Sequence, residues 1–382
     1  MRRKHSLFAI FCALAPLHVS PLPSFTLGPR ADVFSKWEAG YFCIKIPALL
    51  RASSGALHAF AEGRRLSCSD FAETKIVYKR SIDGGATWSP LRVLFSNVTW
   101  PAPSLISTRA GPTVVGNAAP VQLASGRILL VFCGPGPSGP GNAGVYTSFS
   151  DDDGASFSAP AAQPGAVGPG WAWVGTGPPA SLLLPGGRVL VPSYHSVTPG
   201  DDGELSTAHA LLSDDGGATF RRGGEWSAGV NFPNENSAVV LPNGYVWMHA
   251  RGLVTSRWGS VSTDGGETWA PAAQVAGVEQ PLGGCQGATV AYGGDGVLLF
   301  SGPLETSPYR SNLTLCVAPG VGARALTFSP SVVVNAGPSA YSALAAGVGA
   351  AGRDVGILFE RSNRTLLVFE PDVISYQVLL AA

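Results

Sequence analysis

One eight-residue phrase recurs four times and restricts what this chain can fold into. Ser81-Ile82-Asp83-Gly84-Gly85-Ala86-Thr87-Trp88 returns at Ser150–Phe157, Ser213–Phe220 and Ser262–Trp269, with starts 69, 63 and 49 residues apart. The shared form is Ser-x-Asp-x-Gly-x-Thr/Ser-aromatic. Its Asp can accept hydrogen bonds from backbone N–H groups of its own turn. The Gly at position five supplies a positive φ, and the aromatic opens the next strand. Intervening segments such as Lys75–Arg80, Arg127–Cys133, Arg188–Pro192 and Val297–Ser301 are short, β-rich and mostly apolar. Each octapeptide therefore reads as a hairpin tip on a small sheet. The four carboxylates read as staples of their own turns, not as a metal or catalytic array.

Composition agrees. With 49 Gly and 31 Pro in 382 residues, a mostly helical fold is excluded. An apolar share of 45% excludes disorder. The 25 basic and 25 acidic residues balance, so no global field draws in nucleic acid or an anionic membrane. Antiparallel sheets repeating every 40–70 residues or so imply an all-β propeller. At that period, about 355 residues beyond the leader predict six blades, each a four-stranded antiparallel sheet.

Residues 1–24 read as a signal peptide: Arg2, Arg3 and Lys4 precede an apolar stretch from Leu7 to Leu17. That stretch falls short of the roughly 20 residues a spanning helix needs, so no transmembrane segment is expected after its removal. Residues 25–382 form the expected single domain, in a secreted or lumenal protein of the secretory pathway or a lysosome-like compartment. Beyond Cys12 in the leader stand Cys43, Cys68, Cys133, Cys285 and Cys316. That odd, sparse set is no disulfide framework, although a single pair such as Cys43–Cys68 is open to it. Sequons at Asn97, Asn312 and Asn363 fit a secretory route.

The octapeptide resembles the Asp box of sialidases. Because Asp boxes also occur in non-catalytic propellers, function has to be read from the residues between them. Tyr41-Phe42-Cys43-Ile44-Lys45-Ile46-Pro47 is similar to the family's Y/F-R-I-P segment, with Lys45 where the first arginine of a carboxylate-gripping triad stands. Ala59-Phe60-Ala61-Glu62-Gly63-Arg64 looks like A-F-A-E-x-R, and Asp70 falls at the general acid/base position. Val191-Pro192-Ser193-Tyr194 resembles the V-P-x-Y segment, whose Tyr lines the pocket. Asn234-Glu235 resembles the segment whose Glu assists the nucleophile. Arg251 and Arg310 match the second and third triad arginines, and Gly337-Pro338-Ser339-Ala340-Tyr341 matches the nucleophile segment. Leu358-Phe359-Glu360 resembles the segment whose Glu orients the first triad cation. The matches run in family order from residue 41 to 361.

The resemblance implies a retaining exo-α-sialidase acting on terminal sialic or related nonulosonic acids of oligosaccharides, glycoproteins or glycolipids. Tyr341 would be the nucleophile, Glu235 its base and Asp70 the acid/base, while Lys45, Arg64, Tyr194, Arg251, Arg310 and Glu360 would bind or orient substrate. Such chemistry needs no cofactor or metal. The residue types suit the substrate: its carboxylate would repel a carboxylate nucleophile, whereas a neutral phenol avoids that repulsion. Sialidases are indeed exceptions to two-carboxylate glycoside hydrolysis. Lysine lacks the planar fork of arginine, so Lys45 implies weaker carboxylate binding. The alternatives are a sialic-acid-binding lectin and a trans-sialidase. The segment Gly175–Ser181 follows the family pattern only partly. Gly134–Gly139 imitates a phosphate loop without a following helix, and Trp171 and Trp173 could stack on sugar or pack a blade.

Overall fold

The computed structural model describes residues 22–100, 113–136, 143–198, 206–226, 233–294, 296–320, 326–364 and 369–382. The leader up to residue 21 and positions 137–139 of the Gly/Pro loop lie outside the described residues. Antiparallel strands make up nearly all the regular structure, with 3-10 turns only at Glu38–Gly40 and Pro164–Ala166 among the described residues. No helix among those residues is long and apolar enough to cross a membrane.

The strands form an all-β propeller, but its sheets are not six equal blades. Among the described residues, four sheets have blade form. Three carry four strands: Cys43–Arg51 through Arg92–Val93, Gly116–Gln122 through Ala161–Ala162, and Asn236–Val240 through Ala273–Gln274. A fourth runs from Trp173–Thr176 to Arg221–Trp226 and adds the short strand Leu182–Leu183. The remaining strands are joined in one seven-stranded sheet. This corrects the expectation of six separate four-stranded sheets, and the cause is the 20-residue strand Ser329–Val348. Its first part pairs with Ser311–Pro319 and its second with Asp354–Arg361, fusing what spacing alone would separate. The same sheet takes Phe25–Ser35 onto Val373–Ala381, with Phe25 opposite Ala381, so the two ends of the described chain lie on one ladder.

The octapeptides are hairpin tips, as read from sequence. Asp83 Oδ1 accepts from Thr87 N–H at 2.9 Å, and Ser81 Oγ accepts from Gly85 N–H at 2.9 Å; the other three tips repeat both bonds. Each tip also docks on another sheet. A Cβ on Gly85 would overlap Tyr376, and one on Gly154 would overlap Tyr78. Gly217 meets Leu129 and Gly266 meets Leu190 in the same way. The repeat thus couples neighbouring sheets through a left-handed glycine that a side chain would push away. Sheets bury their middle strands on both faces: Leu57–Arg64, Ile128–Gly134 and Val189–Ser196 are buried along their whole length. Continuous burial fits the largely apolar first parts of these segments, while His58, Glu62, Arg64 and His195 are polar groups buried within them.

Candidate active site

The candidate side chains stand on strands or just beyond strand ends, and the ring of sheets gathers them. Lys45 and Arg64 come from Cys43–Arg51 and Leu57–Arg64, Tyr194 from Val189–Ser196, and Tyr341 from Ser329–Val348. Glu235 immediately precedes Asn236–Val240, Arg251 immediately follows Val246–Ala250, and Arg310 immediately precedes Ser311–Pro319. Asp70 lies on the loop between Arg64 and Thr74. These eight residues line one shared cavity of about 220 Å³. Glu360, the ninth, stands behind it and accepts the Ile46 N–H through Oε1 at 2.7 Å.

On one wall a single guanidinium nitrogen serves two acceptors. Arg251 Nη1 donates to Glu235 Oε2 at 2.7 Å and to Tyr341 Oη at 3.0 Å. The Arg310 guanidinium sits over the Tyr341 ring, 5.5 Å from its centre. Burial, reinforced by Glu235, pushes the Tyr341 phenol well above its ordinary pKa, while Arg251 and Arg310 act in the opposite sense. The phenol is therefore neutral at rest, and only 6% of the residue is exposed.

A second cluster is organised by Arg64. It donates to Glu62 Oε2 at 2.7 and 3.1 Å, to Cys68 O at 2.7 Å, and to Asp70 Oδ1. A Cys43–Cys68 disulfide ties the Asp70 loop to the strand carrying Lys45. Burial raises the Asp70 pKa, but Arg64 and then Lys45 outweigh it, so the carboxyl titrates below its ordinary range. Its side chain is 48% exposed and faces incoming solute.

Lys45 is 8% exposed, and burial followed by Arg64 depresses its pKa. Among the described residues its ammonium makes no hydrogen bond or ion pair, and so is not hydrogen-bonded to Glu360. Instead Glu360 Oε2 is buried without a partner. The cause is local backbone. The register slips between Lys45 and Ala48, and Ile46 has a φ of 55°, a conformation costing a β-branched residue about 1–2 kcal/mol. Its amide bond to Glu360 and its packing against Tyr341 and Cys285 offset that cost.

Several lining residues carried no sequence-level assignment. Glu62 is buried, clamps Arg64, and accepts the Asn117 N–H at 2.8 Å; a Cβ on Gly116 would overlap its carboxylate. An acid directly after the apolar triplet Ala59–Ala61 was the available signal. Asn117 and Cys133 also line the cavity; of the two tryptophans read as stacking on sugar or packing a blade, Trp173 lines the cavity and Trp171 stacks on His195 at 3.8 Å. Gly175 leaves room for the buried Tyr194 ring, which any Cβ there would overlap.

The profile of the BNR repeat-like domain family matches residues 95–351, more than half of the chain. This chain belongs to the sialidase family with BNR repeats. An exo-α-sialidase of Aspergillus fumigatus is 31% identical over 173 residues, 40% of this chain and 42% of that protein. Human Sialidase-4 is 29% identical over 292 residues, 69% of this chain and 57% of that protein. A sialidase of Micromonospora viridifaciens is 27% identical over 271 residues, 67% of this chain and 40% of that one. The chain thus spans between 40% and 57% of the length of these relatives. Among solved structures, NanB with optactamide superposes with a TM-score of 0.73 at 16% identity, covering 92% of this chain and 70% of that one. The intramolecular trans-sialidase of Ruminococcus gnavus, in complex with oseltamivir carboxylate, gives 0.70 at 16% identity, covering 91% and 96%. At such identities the likeness is one of fold.

Proposed function

We propose that this member of the sialidase family is a glycoside hydrolase, a retaining exo-α-sialidase that releases terminal sialic or related nonulosonic acids from glycans. The observation that carries the reading is the meeting of Tyr341, Glu235 and Arg251 through one guanidinium nitrogen, in a cavity shared with Asp70, Lys45 and Arg310. Lys45, Arg251 and Arg310 take the substrate carboxylate. As that carboxylate draws Arg251 forward, Glu235 is left as the acceptor for the phenol proton. Tyr341 Oη attacks the anomeric carbon, its proton passes to Glu235, and protonated Asp70 gives its proton to the departing glycosidic oxygen. Asp70, now ionised, takes a proton from water that attacks the same carbon. The tyrosyl oxygen leaves and recovers its proton from Glu235. Two inversions give net retention.

The substrates in this reading are sialylated oligosaccharides, glycoproteins or glycolipids. Secretion or residence in a lumen belongs to the same proposal, and the Cys43–Cys68 bridge supports it because such bonds persist in oxidising compartments. The test is a fluorogenic sialoside offered to wild type and Tyr341→Phe. Wild-type turnover that the substitution abolishes, with thermal unfolding unchanged, is expected. A folded wild type that binds sialosides without cleaving them would overturn the enzyme and leave a lectin.

A further inference from the structure

Behind the cavity lies a feature that the proposed reaction does not use. Three arginines each donate to one of three consecutive backbone carbonyls. Arg251 Nη2 donates to Gly283 O at 3.0 Å, Arg310 Nη2 to Gly284 O at 3.1 Å, and Arg257 Nη2 to Cys285 O at 2.6 Å. Successive carbonyls of an extended chain point to opposite sides, so such a row needs special backbone. Gly283 and Gly284 supply it with φ values of 84° and 73°. Two successive residues of positive φ bend the backbone out of the extended alternation, and glycine adopts such φ values without penalty.

The row is pinned to the turn between Val246–Ala250 and Trp258–Ser262, the turn that carries both Arg251 and Arg257. Gly283 N–H donates to Leu253 O at 2.9 Å, and Gln280 N–H donates to Thr255 O at 2.9 Å. The buried Gln280 amide reaches Val254 O at 2.8 Å and Ser256 O at 3.0 Å. Arg257 closes the far end. It is 1% exposed and has no carboxylate partner among the described residues. Its Nη1 donates to His249 Nδ1 at 3.3 Å, and the guanidinium lies over the Phe300 ring, 5.1 Å from the centre. His249 in turn donates from Nε2 to Thr289 Oγ1 at 2.6 Å, which leaves Nδ1 as the acceptor Arg257 needs. A buried cation held only by neutral acceptors is costly, and salt bridging does not explain its presence.

Building on the assignment of Arg251 and Arg310 to the substrate carboxylate, we propose that Arg257 and the Gly283–Gly284–Cys285 carbonyl row form a positioning device that fixes where those two arginines point. Arg257 touches no substrate. It acts by holding the Cys285 carbonyl, and through it the curl that presents the other two carbonyls. Arg310 spends Nη2 on the row and keeps the rest of its fork, whereas Arg251 spends Nη2 on the row and Nη1 on Glu235 and Tyr341 Oη.

Two substitutions at Arg257 separate the clamp from mere charge. Arg257→Met removes both. Arg257→Lys keeps the charge, but one ammonium is a poor substitute for a fork spanning His249 Nδ1 and Cys285 O. Both folded variants are expected to raise KM for a fluorogenic sialoside by roughly ten- to a hundredfold, the scale of one charge-assisted hydrogen bond, with the smaller share of the loss in kcat. A wild-type KM in either folded variant, or a loss confined to kcat, overturns the proposal. If neither variant folds, Gly283→Ala takes their place: no atom lies within 4 Å of the added Cβ, so only the left-handed φ is opposed. The same rise in KM is expected there, and an unchanged KM overturns the proposal. Crystal structures read the device without any sialoside, and so independently of the proposed activity. Arg251 and Arg310 displaced from the Gly283 and Gly284 carbonyls in the variant support the proposal; both still seated overturn it.

Discussion

Replacing Lys45 by arginine should tighten substrate binding, and the structure allows the gain to be estimated. In the proposed reaction Lys45 offers one ammonium to a substrate carboxylate with two oxygens, and Glu360 Oε2 is buried with no hydrogen-bond donor. Arginine at this position carries donors enough for a two-pronged bond to substrate and one more to Glu360. One added charge-assisted hydrogen bond contributes about 1.5–3 kcal/mol. The cavity is open to solvent and the longer side chain must be ordered, so the lower end applies: about 1.5 kcal/mol, or roughly tenfold. The bond holds the carboxylate equally before and during glycosidic cleavage, so the gain belongs in KM while kcat stays within about threefold. Steady-state kinetics of Lys45→Arg with a fluorogenic sialoside, alongside melting curves, provide the measurement. Lys45→Met should move KM in the opposite direction. A folded Lys45→Arg enzyme with an unchanged or higher KM would refute the reasoning, because the missing fork would then not be what limits carboxylate binding.

Other expectations concern pH and the disulfide. Asp70 titrates below its ordinary range, and in the proposed reaction its acid form starts cleavage. kcat/KM should therefore fall as pH rises through that lowered pKa, giving an acidic optimum, and the paired change Glu62→Gln/Arg64→Met should carry the fall to higher pH. A pH–rate profile in which the double variant coincides with wild type would dissociate Asp70 from that limb. The sign for stability is the reverse: the Asp70–Arg64 attraction is present above the unfolded-state pKa of Asp70 and is lost as pH falls through the lower folded value. Cys43→Ser opens a disulfide with a sequence separation of 25 residues, which should cost about 3 kcal/mol in denaturant unfolding. Because the bridge anchors the Asp70 loop, kcat should drop as well, and an unchanged kcat would show that the loop holds without it.

Hairpin tips were legible because the octapeptide is local chemistry: a carboxylate, a hydroxyl and a left-handed glycine within one turn. Sheet count was not, because it depends on one strand, Ser329–Val348, bending from one partner to another, and no spacing rule registers such sharing. Most of the cavity was legible through the order of short segments. What failed was side-chain aim. Lys45 and Glu360 are near enough in the sequence-derived scheme to pair, yet the bulge at Ile46 gives Glu360 to a backbone amide instead. Glu62 and Arg257 were passed over for a related reason: each acts on another side chain or a carbonyl, and partners 55 and 28 residues away are visible only after folding.

The cations of the cavity are not equivalent, and their partners predict how each should behave on removal. Arg64 is committed to Glu62 and Asp70, and Arg251 to Glu235. Lys45 and Arg310 have no carboxylate ion pair among the described residues, so of the cations that line the cavity they are the two without one. In the proposed reaction an anionic sugar entering the cavity meets its largest unopposed attraction there. Arg310→Met should therefore act chiefly on binding, raising KM by roughly ten- to a hundredfold while kcat falls less. Arg251→Met should cost kcat at least as much as KM, because the nitrogen it removes also orders Glu235 against Tyr341 Oη. Steady-state kinetics on the two variants give the comparison directly. If both lose KM and kcat in the same proportion, the division of the cavity into free and committed cations is wrong.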